Sequence, residues 1–320
     1  MIPLAGCETA SPKVSSTVEV WFEFMMERHF PSSSHLRKSL VSPRQTFHIR
    51  REISTLHEQG VTVTYLLRYP DCFDADPEMQ PYIQSGKARL VKGDTLQPDT
   101  LEAAWASALV AGNGNVDVVL FTVGGKPSFT NLLLVLLRGI VMTPPDLVTR
   151  SITNVIRTLP PSLRTPESQP RFVVITSYGM NREEHSALPL PMKPFYSILL
   201  PAPHRDKLGV ERMLSHCMGT PWNPEDVVID EVLAPGWEST EGLPGVGELK
   251  KVVIVRPAFF TDGKCVADEG KGEEAPYRTS TSGLLKGMYT VSRKDVAHLI
   301  VDVVIPQWES YQGKAVAIGY

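Results

Sequence analysis

Polar residues and glycines follow several of the apolar runs that resemble strands in this 320-residue sequence. In an open parallel sheet, ligands bind beyond the carboxyl ends of the strands, so the residues at those ends are the first candidates for chemistry. The candidate stretches are Arg68, Gly93-Asp94, Thr122 to Gly125, Thr176 to Gly179 and Arg256 to Phe260. Such an edge would bring a cation, hydroxyls and glycines together around a cofactor and a substrate.

Three of these positions suggest a particular role. Arg68 ends the second strand, where a cation would meet an adenosine 2′-phosphate, so the sequence favours NADP over NAD. The alternative is a solvated arginine at a strand end. Gly124 and Gly125 would let a cofactor approach the backbone closely, or form an ordinary turn. Ser177 could donate a hydrogen bond to a substrate carbonyl, or be a small residue needed for packing.

Other kinds of site are disfavoured by the sequence. The eight histidines form no HxH or HExxH spacing, so no metal site is expected. No Gly-x-Ser-x-Gly elbow surrounds Ser177, and "GLPGVG" (Gly242 to Gly247) precedes a strand instead of joining a strand to a helix. The formal charge is −3 without a Lys/Arg run, which argues against a nucleic-acid partner.

The cysteines and the apolar runs indicate a cytoplasmic protein. Four cysteines stand far apart without a CxxC pair, which is typical of a reducing compartment. The first residues lack the basic start and unbroken apolar core of a signal peptide. The most apolar run, Leu132 to Met142, is about half the ~20 residues that a membrane-spanning helix needs, so we expect a buried helix and no membrane partner.

Alternating apolar runs and amphipathic segments predict an α/β fold: a Rossmann-like doubly wound parallel sheet with a small C-terminal substrate region formed by insertions. We expect residues 1–45 to be an atypical N-terminal segment and 46–320 to be the NAD(P)-binding domain. The Pro-, Gly- and charge-rich stretches 180–204, 223–248 and 264–286 are predicted as insertions that cover the substrate.

The order of these pieces resembles the atypical short-chain dehydrogenase/reductase superfamily, in its NAD(P)-binding, NmrA-like branch. The resemblance covers about Gly60 to Tyr320 and is carried by "VTVTYLLR", "ARLVKGDTLQPDTLEAAW", "VDVVLFTVGG", "RFVVITSYGM", "DKLGVERML" and "VVIVRPAFFTDG".

The resemblance implies roles for individual residues. Asp94 and Thr95 would border the adenine, and Ser177 would face the substrate. Lys207 aligns with an active-site lysine that orients the nicotinamide ribose or polarises the substrate. The positions that would line the cofactor are Thr122, Val123, Gly124 and Thr176.

The sequence departs from the family in two places. Pro203 stands four residues before Lys207, where the larger superfamily has a tyrosine, so Tyr196 or Tyr178 would have to replace that phenol in space. Lys207 could also be an exposed helix residue paired with Glu211 at i+4. The N-terminus offers Gly6 alone, in "MIPLAGCETASP", where a glycine-rich phosphate loop is expected.

The first hypothesis is an NADP-dependent reductase of a small carbonyl or enone substrate, with Ser177, Tyr196 and Lys207 around the reacting oxygen. A non-catalytic NAD(P)-sensing or scaffold protein of the NmrA-like type is the alternative, and a nucleotide-sugar epimerase is a third. The sequence gives no indication of an oligomeric state.

Overall fold

The computed structural model describes residues 61–124, 142–269, 276–282 and 284–320, together with the backbone of 19–21. Three features considered in the sequence lie outside these residues. They are Gly125, the apolar helix predicted before residue 142, and the N-terminal stretch around Gly6, where the phosphate loop was expected.

The strands include all those predicted from the apolar runs, together with some that the sequence did not indicate. They are β1 (Glu19–Trp21), β2 (Val63–Leu67), β3 (Ala88–Lys92), β4 (Val118–Phe121), β5 (Arg171–Ile175), β6 (Val252–Pro257), β7 (Phe259–Thr261), β8 (Arg278–Ser280), β9 (Thr290–Ser292) and β10 (Ala315–Gly319).

The described helices range from 4 to 18 residues in length. They are α1 (Gln80–Gln84), α2 (Pro98–Ala111), α3 (Leu147–Arg157), α4 (Arg182–Ala187), α5 (Met192–Leu199), α6 (Pro201–Met218), α7 (Val266–Glu269), α8 (Arg293–His298) and α9 (Trp308–Tyr311). A π-helical turn over Leu299–Val304 continues α8. Proline begins both α2 and α6, where its missing N–H costs no hydrogen bond.

A parallel sheet forms the centre of the molecule. Its hydrogen-bonded order is β1-β4-β5-β6-β10-β8, and only β8 runs antiparallel to its neighbour among these described strands. Strands β2 and β3 form a parallel pair, and β2 lies beside β1. The order across the molecule is therefore β3-β2-β1-β4-β5-β6-β10, which is a doubly wound arrangement.

Both faces of this sheet are buried. Along β5, Val173 belongs to one hydrophobic cluster, while Phe172 and Val174 belong to the other. Along β6, Val253 and Ile254 divide in the same way. Because side chains alternate across a strand, two clusters on successive residues mean that helices cover each face. The predicted α/β fold is confirmed.

The first strand lies at a position that the sequence did not indicate. Glu19 pairs with Val119 and Trp21 with Phe121, in parallel register. The strand comes from "EVW", inside the predicted atypical segment and well after "MIPLAGCETASP". The division of the chain at residue 45 stays a prediction.

The predicted insertions differ in regular structure. Residues 180–204 form α4, α5 and the first turn of α6, so this stretch is largely helical. Residues 223–248 contain one 3₁₀ turn, Trp237–Ser239. This second stretch packs closely on α6, because a Cβ at Gly209 would lie 2.3 Å from a Val232 methyl group and 2.6 Å from the Thr149 hydroxyl.

The start of α8 is fixed by a buried carboxylate. Ser292 is the N-cap of α8: its Oγ accepts a 3.0 Å hydrogen bond from the Asp295 amide and donates a 2.5 Å bond to Asp295 Oδ2. The Ala267 amide and the Tyr320 hydroxyl also donate to Asp295. Burial alone would raise the pKa of Asp295, but these donors favour the charged carboxylate and the net pKa is lowered.

We expect Asp295→Asn to lower the free energy of unfolding by about 1–3 kcal/mol at pH 7, because several donors lose a charged acceptor. A lowered folded-state pKa gives stability that is present above the unfolded value of about 3.9 and is lost as the pH falls through the folded value. The difference between wild type and variant should therefore shrink between pH 5 and pH 3, measured by urea unfolding. Exposed Asp302→Asn is the matched control. A pH-independent difference would contradict this account.

Candidate active site

The predicted site residues follow the ends of parallel strands. Strand β2 is parallel to β3, and β4 is parallel to β5, so the carboxyl ends of each pair lie side by side. The residues placed directly beyond these ends are Arg68, Asp94, Thr122, Val123, Gly124, Thr176 and Ser177.

Arg68 and Asp94 lie next to each other across the ends of β2 and β3. Arg68 Nε is 4.0 Å from Asp94 Oδ2, and both side chains are about one-fifth exposed. Gly93, next to Asp94, allows the end of β3 to pack closely on Leu66 and on the start of α2, since a Cβ there would come within 2.6 Å of Leu66 and Thr100. The cation and the carboxylate expected at the adenosine end of a cofactor are thus brought together, each moderating the charge of the other.

The other cofactor candidates differ in how accessible they are. Thr95 is buried and its hydroxyl donates a 2.8 Å hydrogen bond to Ser151, so its side chain joins the loop after β3 to α3. Val123 is also buried, while Thr122 is half-buried. Among the described residues, no atom lies within 4 Å of the position that a Cβ on Gly124 would take, so these residues leave the backbone open to a ligand at that point.

Lys207 belongs to α6, and its side chain reaches the carboxyl end of β5. Its ammonium Nζ donates a 2.8 Å hydrogen bond to the carbonyl oxygen of Thr176, the residue before Ser177. Part of the Lys207 side chain stays exposed, but desolvation of the ammonium lowers its pKa to about 8, against the opposing influence of Asp206 and Glu211. Helix α6 thus positions a cation directly behind the loop that carries Ser177.

The alternative in which Lys207 pairs with Glu211 on a solvated helix face is wrong. No ion pair joins them within the described part of the chain. Glu211 is only 3% exposed and accepts hydrogen bonds from Arg256 and from the Thr176 hydroxyl at 2.7 Å. Glu211 therefore faces the core between α6 and the sheet.

Arg256 connects two buried glutamates. Its guanidinium donates to Glu184 Oε1 at 2.7 Å and to both carboxylate oxygens of Glu211, with Nε at 2.9 Å. Burial would lower the pKa of Arg256, but Glu211 and Glu184 raise it, so the guanidinium stays charged. Burial, with repulsion from Glu211, raises the pKa of Glu184 to about 7 even though Arg256 opposes that rise. The sequence did not predict this cluster.

Glu184 also fixes the loop after β5. Its second oxygen accepts a 2.9 Å hydrogen bond from the Gly179 amide. Gly179 has a φ of 83°, and a Cβ there would lie 3.0 Å from Tyr196 Cε1, so glycine allows the tyrosine ring to pack on the loop. Tyr196 is 3% exposed, and its hydroxyl has no hydrogen-bond partner among the residues that the structure describes.

Of the two tyrosines considered as replacements for the missing phenol, Tyr178 has a structural contact. Its hydroxyl donates to the Leu285 carbonyl at 2.9 Å and accepts from the Leu285 amide at 3.0 Å. The Tyr196 hydroxyl makes no comparable hydrogen bond to the described residues, and Ser177 Oγ makes only a 3.5 Å contact with the Tyr178 carbonyl. Burial, with nearby Tyr178 and Glu184, raises the pKa of Tyr196 to about 12.

A histidine that the sequence did not single out lies beside these candidate residues. The rings of His204 and Tyr196 meet edge to face with centroids 5.3 Å apart. His204 stands three residues before Lys207 on α6, so both lie on one face of the helix. The position of His204 beside the predicted lysine was visible in the sequence, but its contact with Tyr196 was not.

Two further properties concern only the residues that the structure describes. They contain no cluster of three or more His, Cys, Asp or Glu side chains arranged to hold a metal ion. Nor do they contain a helix with the length and apolar character required to cross a bilayer.

Known proteins resemble this chain in sequence and in fold. No protein-family model matches it. Reductase pytE of Aspergillus terreus is 28% identical over 206 residues, which are 64% of this chain and 67% of the relative. A crystal structure assigned to the short-chain dehydrogenase/reductases, from Burkholderia xenovorans, superposes over 97% of both chains with a TM-score of 0.53 at 12% identity. At that identity the superposition establishes a shared Rossmann-like fold.

We expect Arg256→Met to lower the free energy of unfolding by about 3–5 kcal/mol, because Glu184 and Glu211 would remain buried without a cation. Urea unfolding at pH 7 measures the loss, and Arg278→Met on exposed β8 is the matched control. Adding Glu184→Gln and Glu211→Gln to Arg256→Met should recover part of the stability, since amides carry no charge. A loss below about 1 kcal/mol for Arg256→Met, as for an exposed ion pair, would contradict this role.

Proposed function

We propose that this protein is an NADP-dependent reductase of a small carbonyl or enone substrate. The observation that carries the proposal is the convergence of Ser177, Tyr196 and Lys207 on the loop 176–179, at the carboxyl edge of a doubly wound sheet. The name of the Aspergillus terreus relative, a reductase, supports the same class. The order of the sequence motifs favours the NmrA-like branch of the atypical short-chain dehydrogenase/reductases.

The residues at the strand ends fit a dinucleotide. Arg68 and Asp94 would hold the adenosine end, with Arg68 offering a guanidinium to a 2′-phosphate. The open space at Gly124 would admit the cofactor beside the backbone, next to Thr122. When bound, the reduced nicotinamide supplies a hydride to the substrate. NADP is proposed over NAD because of Arg68.

Tyr196 would supply the proton in the reducing direction. A phenol with a pKa of about 12 stays protonated at neutral pH, and it is more acidic than the alcohol that forms when the alkoxide of the reduced carbonyl takes up a proton. Ser177 would hydrogen-bond to the same oxygen, and the Lys207 ammonium, held on the Thr176 carbonyl, would favour the negative charge developing there. The helical stretch 180–204 would cover the substrate.

The second candidate is a non-catalytic NAD(P)-sensing or scaffold protein, and one observation favours it. Lys207 is not among the groups that perturb Tyr196, whose pKa is raised by burial, Tyr178 and Glu184. With a pKa this high, the Tyr196 phenol rarely loses its proton at neutral pH. It would therefore seldom provide the phenolate base that oxidation of an alcohol needs. A cytoplasmic location remains a prediction.

Fluorescence titration with NADPH and NADH tests the cofactor site, and turnover of cyclohexanone, 2-cyclohexenone and benzaldehyde tests the reaction. We expect tighter binding of NADPH. Arg68→Ala should weaken NADPH binding about tenfold or more and change NADH binding little, because a charge-assisted contact is worth about 1.5–3 kcal/mol. Arg278→Ala is the control. Binding without turnover would favour the sensor, and no binding of either cofactor would exclude both functions.

The pH dependence of turnover tests Lys207. Since its pKa is lowered to about 8, the ammonium is lost as the pH rises, and kcat/KM should fall above about pH 8. Lys207→Arg keeps the charge and should move this fall to higher pH, whereas Lys207→Met should lower kcat/KM at every pH. Exposed Lys250→Met, before β6, is the control. An unchanged profile in Lys207→Arg would contradict the assignment.

A further inference from the structure

The His204 imidazole carries a buried polar atom that none of the described residues pairs with. Its Nε2 atom is buried and has no hydrogen-bond partner within the described parts of the chain. Native proteins satisfy nearly all such atoms, because an unpaired buried donor or acceptor is unfavourable. Because the unpaired His204 Nε2 lies beside a candidate active site, we expect its hydrogen-bond partner to be an atom of the bound ligand.

The surroundings of His204 place this atom among the groups assigned to the reaction. The ring packs edge to face on Tyr196, and Lys207 lies one helical turn further along α6. Tyr196 in turn contacts the loop that begins at Ser177. The imidazole is therefore in ring contact with the phenol that would donate the proton.

The charge state of His204 limits what it can do. Burial, with repulsion from Lys207 and His185, lowers its pKa to about 3, so the ring is neutral at physiological pH. A neutral imidazole offers one N–H donor and one acceptor nitrogen. It can donate a hydrogen bond, but it neither carries a positive charge nor accepts a proton readily.

We propose that His204 is a catalytic residue, whose Nε2–H group donates a hydrogen bond to the carbonyl oxygen of the substrate during reduction. The inference rests on the proposed reductase function. As hydride adds to the carbonyl carbon, the π electrons of the C=O bond move to the oxygen. That oxygen takes the proton of the Tyr196 hydroxyl, which solvent later replaces, while His204 keeps its own proton and stabilises the developing charge.

The stability of His204→Phe separates this role from a structural one. Phenylalanine keeps the aromatic ring against Tyr196 and removes the unpaired nitrogen, so the Tm should equal or exceed that of the wild type. His216→Phe is the matched control, since His216 lies on the same helix and packs edge to face on Trp237 with centroids 5.1 Å apart. A clearly lower Tm in His204→Phe alone would indicate a structural histidine and overturn the proposal.

The kinetic expectation follows from the missing donor. His204→Phe should lower kcat about 10²–10³-fold on a turned-over carbonyl, as removal of an oxyanion donor does, with little change in KM or in NADPH affinity. His204→Gln, whose amide nitrogen can replace Nε2 as a neutral donor, should retain activity within about tenfold of wild type. Wild-type kcat in His204→Phe would overturn the proposal.

A spectroscopic readout does not depend on turnover. The ¹⁵N resonance of His204 Nε2, assigned by its loss in His204→Phe, should shift when cyclohexanone is added to the NADP⁺-loaded protein, while His216 stays unchanged. No shift with any carbonyl of the panel overturns the His204 assignment even if the enzyme turns over. A shift without turnover overturns the reductase function and retains His204 as a ligand contact.

Discussion

The position of α6 on the sheet depends on one buried guanidinium. Arg256, in β6, binds Glu211 of α6 on one side and Glu184 of α4 on the other, in an interior where an unpaired charge is very costly. Removing any one of these three side chains would leave at least one of the others in the interior without its partner. The cluster therefore links α6 and α4 to the sheet through β6.

The same cluster reaches the chemistry through its remaining hydrogen bonds. Glu211 accepts from the Thr176 hydroxyl, and Glu184 accepts from the Gly179 amide, so the two carboxylates hold both ends of the loop that carries Ser177. Tyr196 packs on that loop, and Lys207 binds its first carbonyl. The cluster therefore helps to fix the loop that carries Ser177 and the helix that carries Lys207.

The sequence was sufficient where the signal was local. Continuous apolar runs ended by glycine or proline located β2 to β6 and β10, because strands buried on both faces have that composition. Strand β1 was missed, since three residues without a following glycine motif carry little signal. The members of the Arg256 cluster stand 72 and 45 positions apart from it, and no spacing rule relates them. For His204, the informative fact is a missing hydrogen bond, which only coordinates can reveal.

Gly209, two residues after Lys207, lets neighbouring segments pack directly against the backbone of α6. Because Val232 and Thr149 occupy the space where its Cβ would extend, the stretch 223–248 rests directly on the helix backbone. Helix α6 therefore contacts two regions at once: the loop 176–179, through Lys207, and the irregular stretch, which packs on the helix backbone at Gly209. A different 223–248 stretch grafted onto this fold would have to preserve the small residue at 209, because a larger one would displace α6 and with it Lys207.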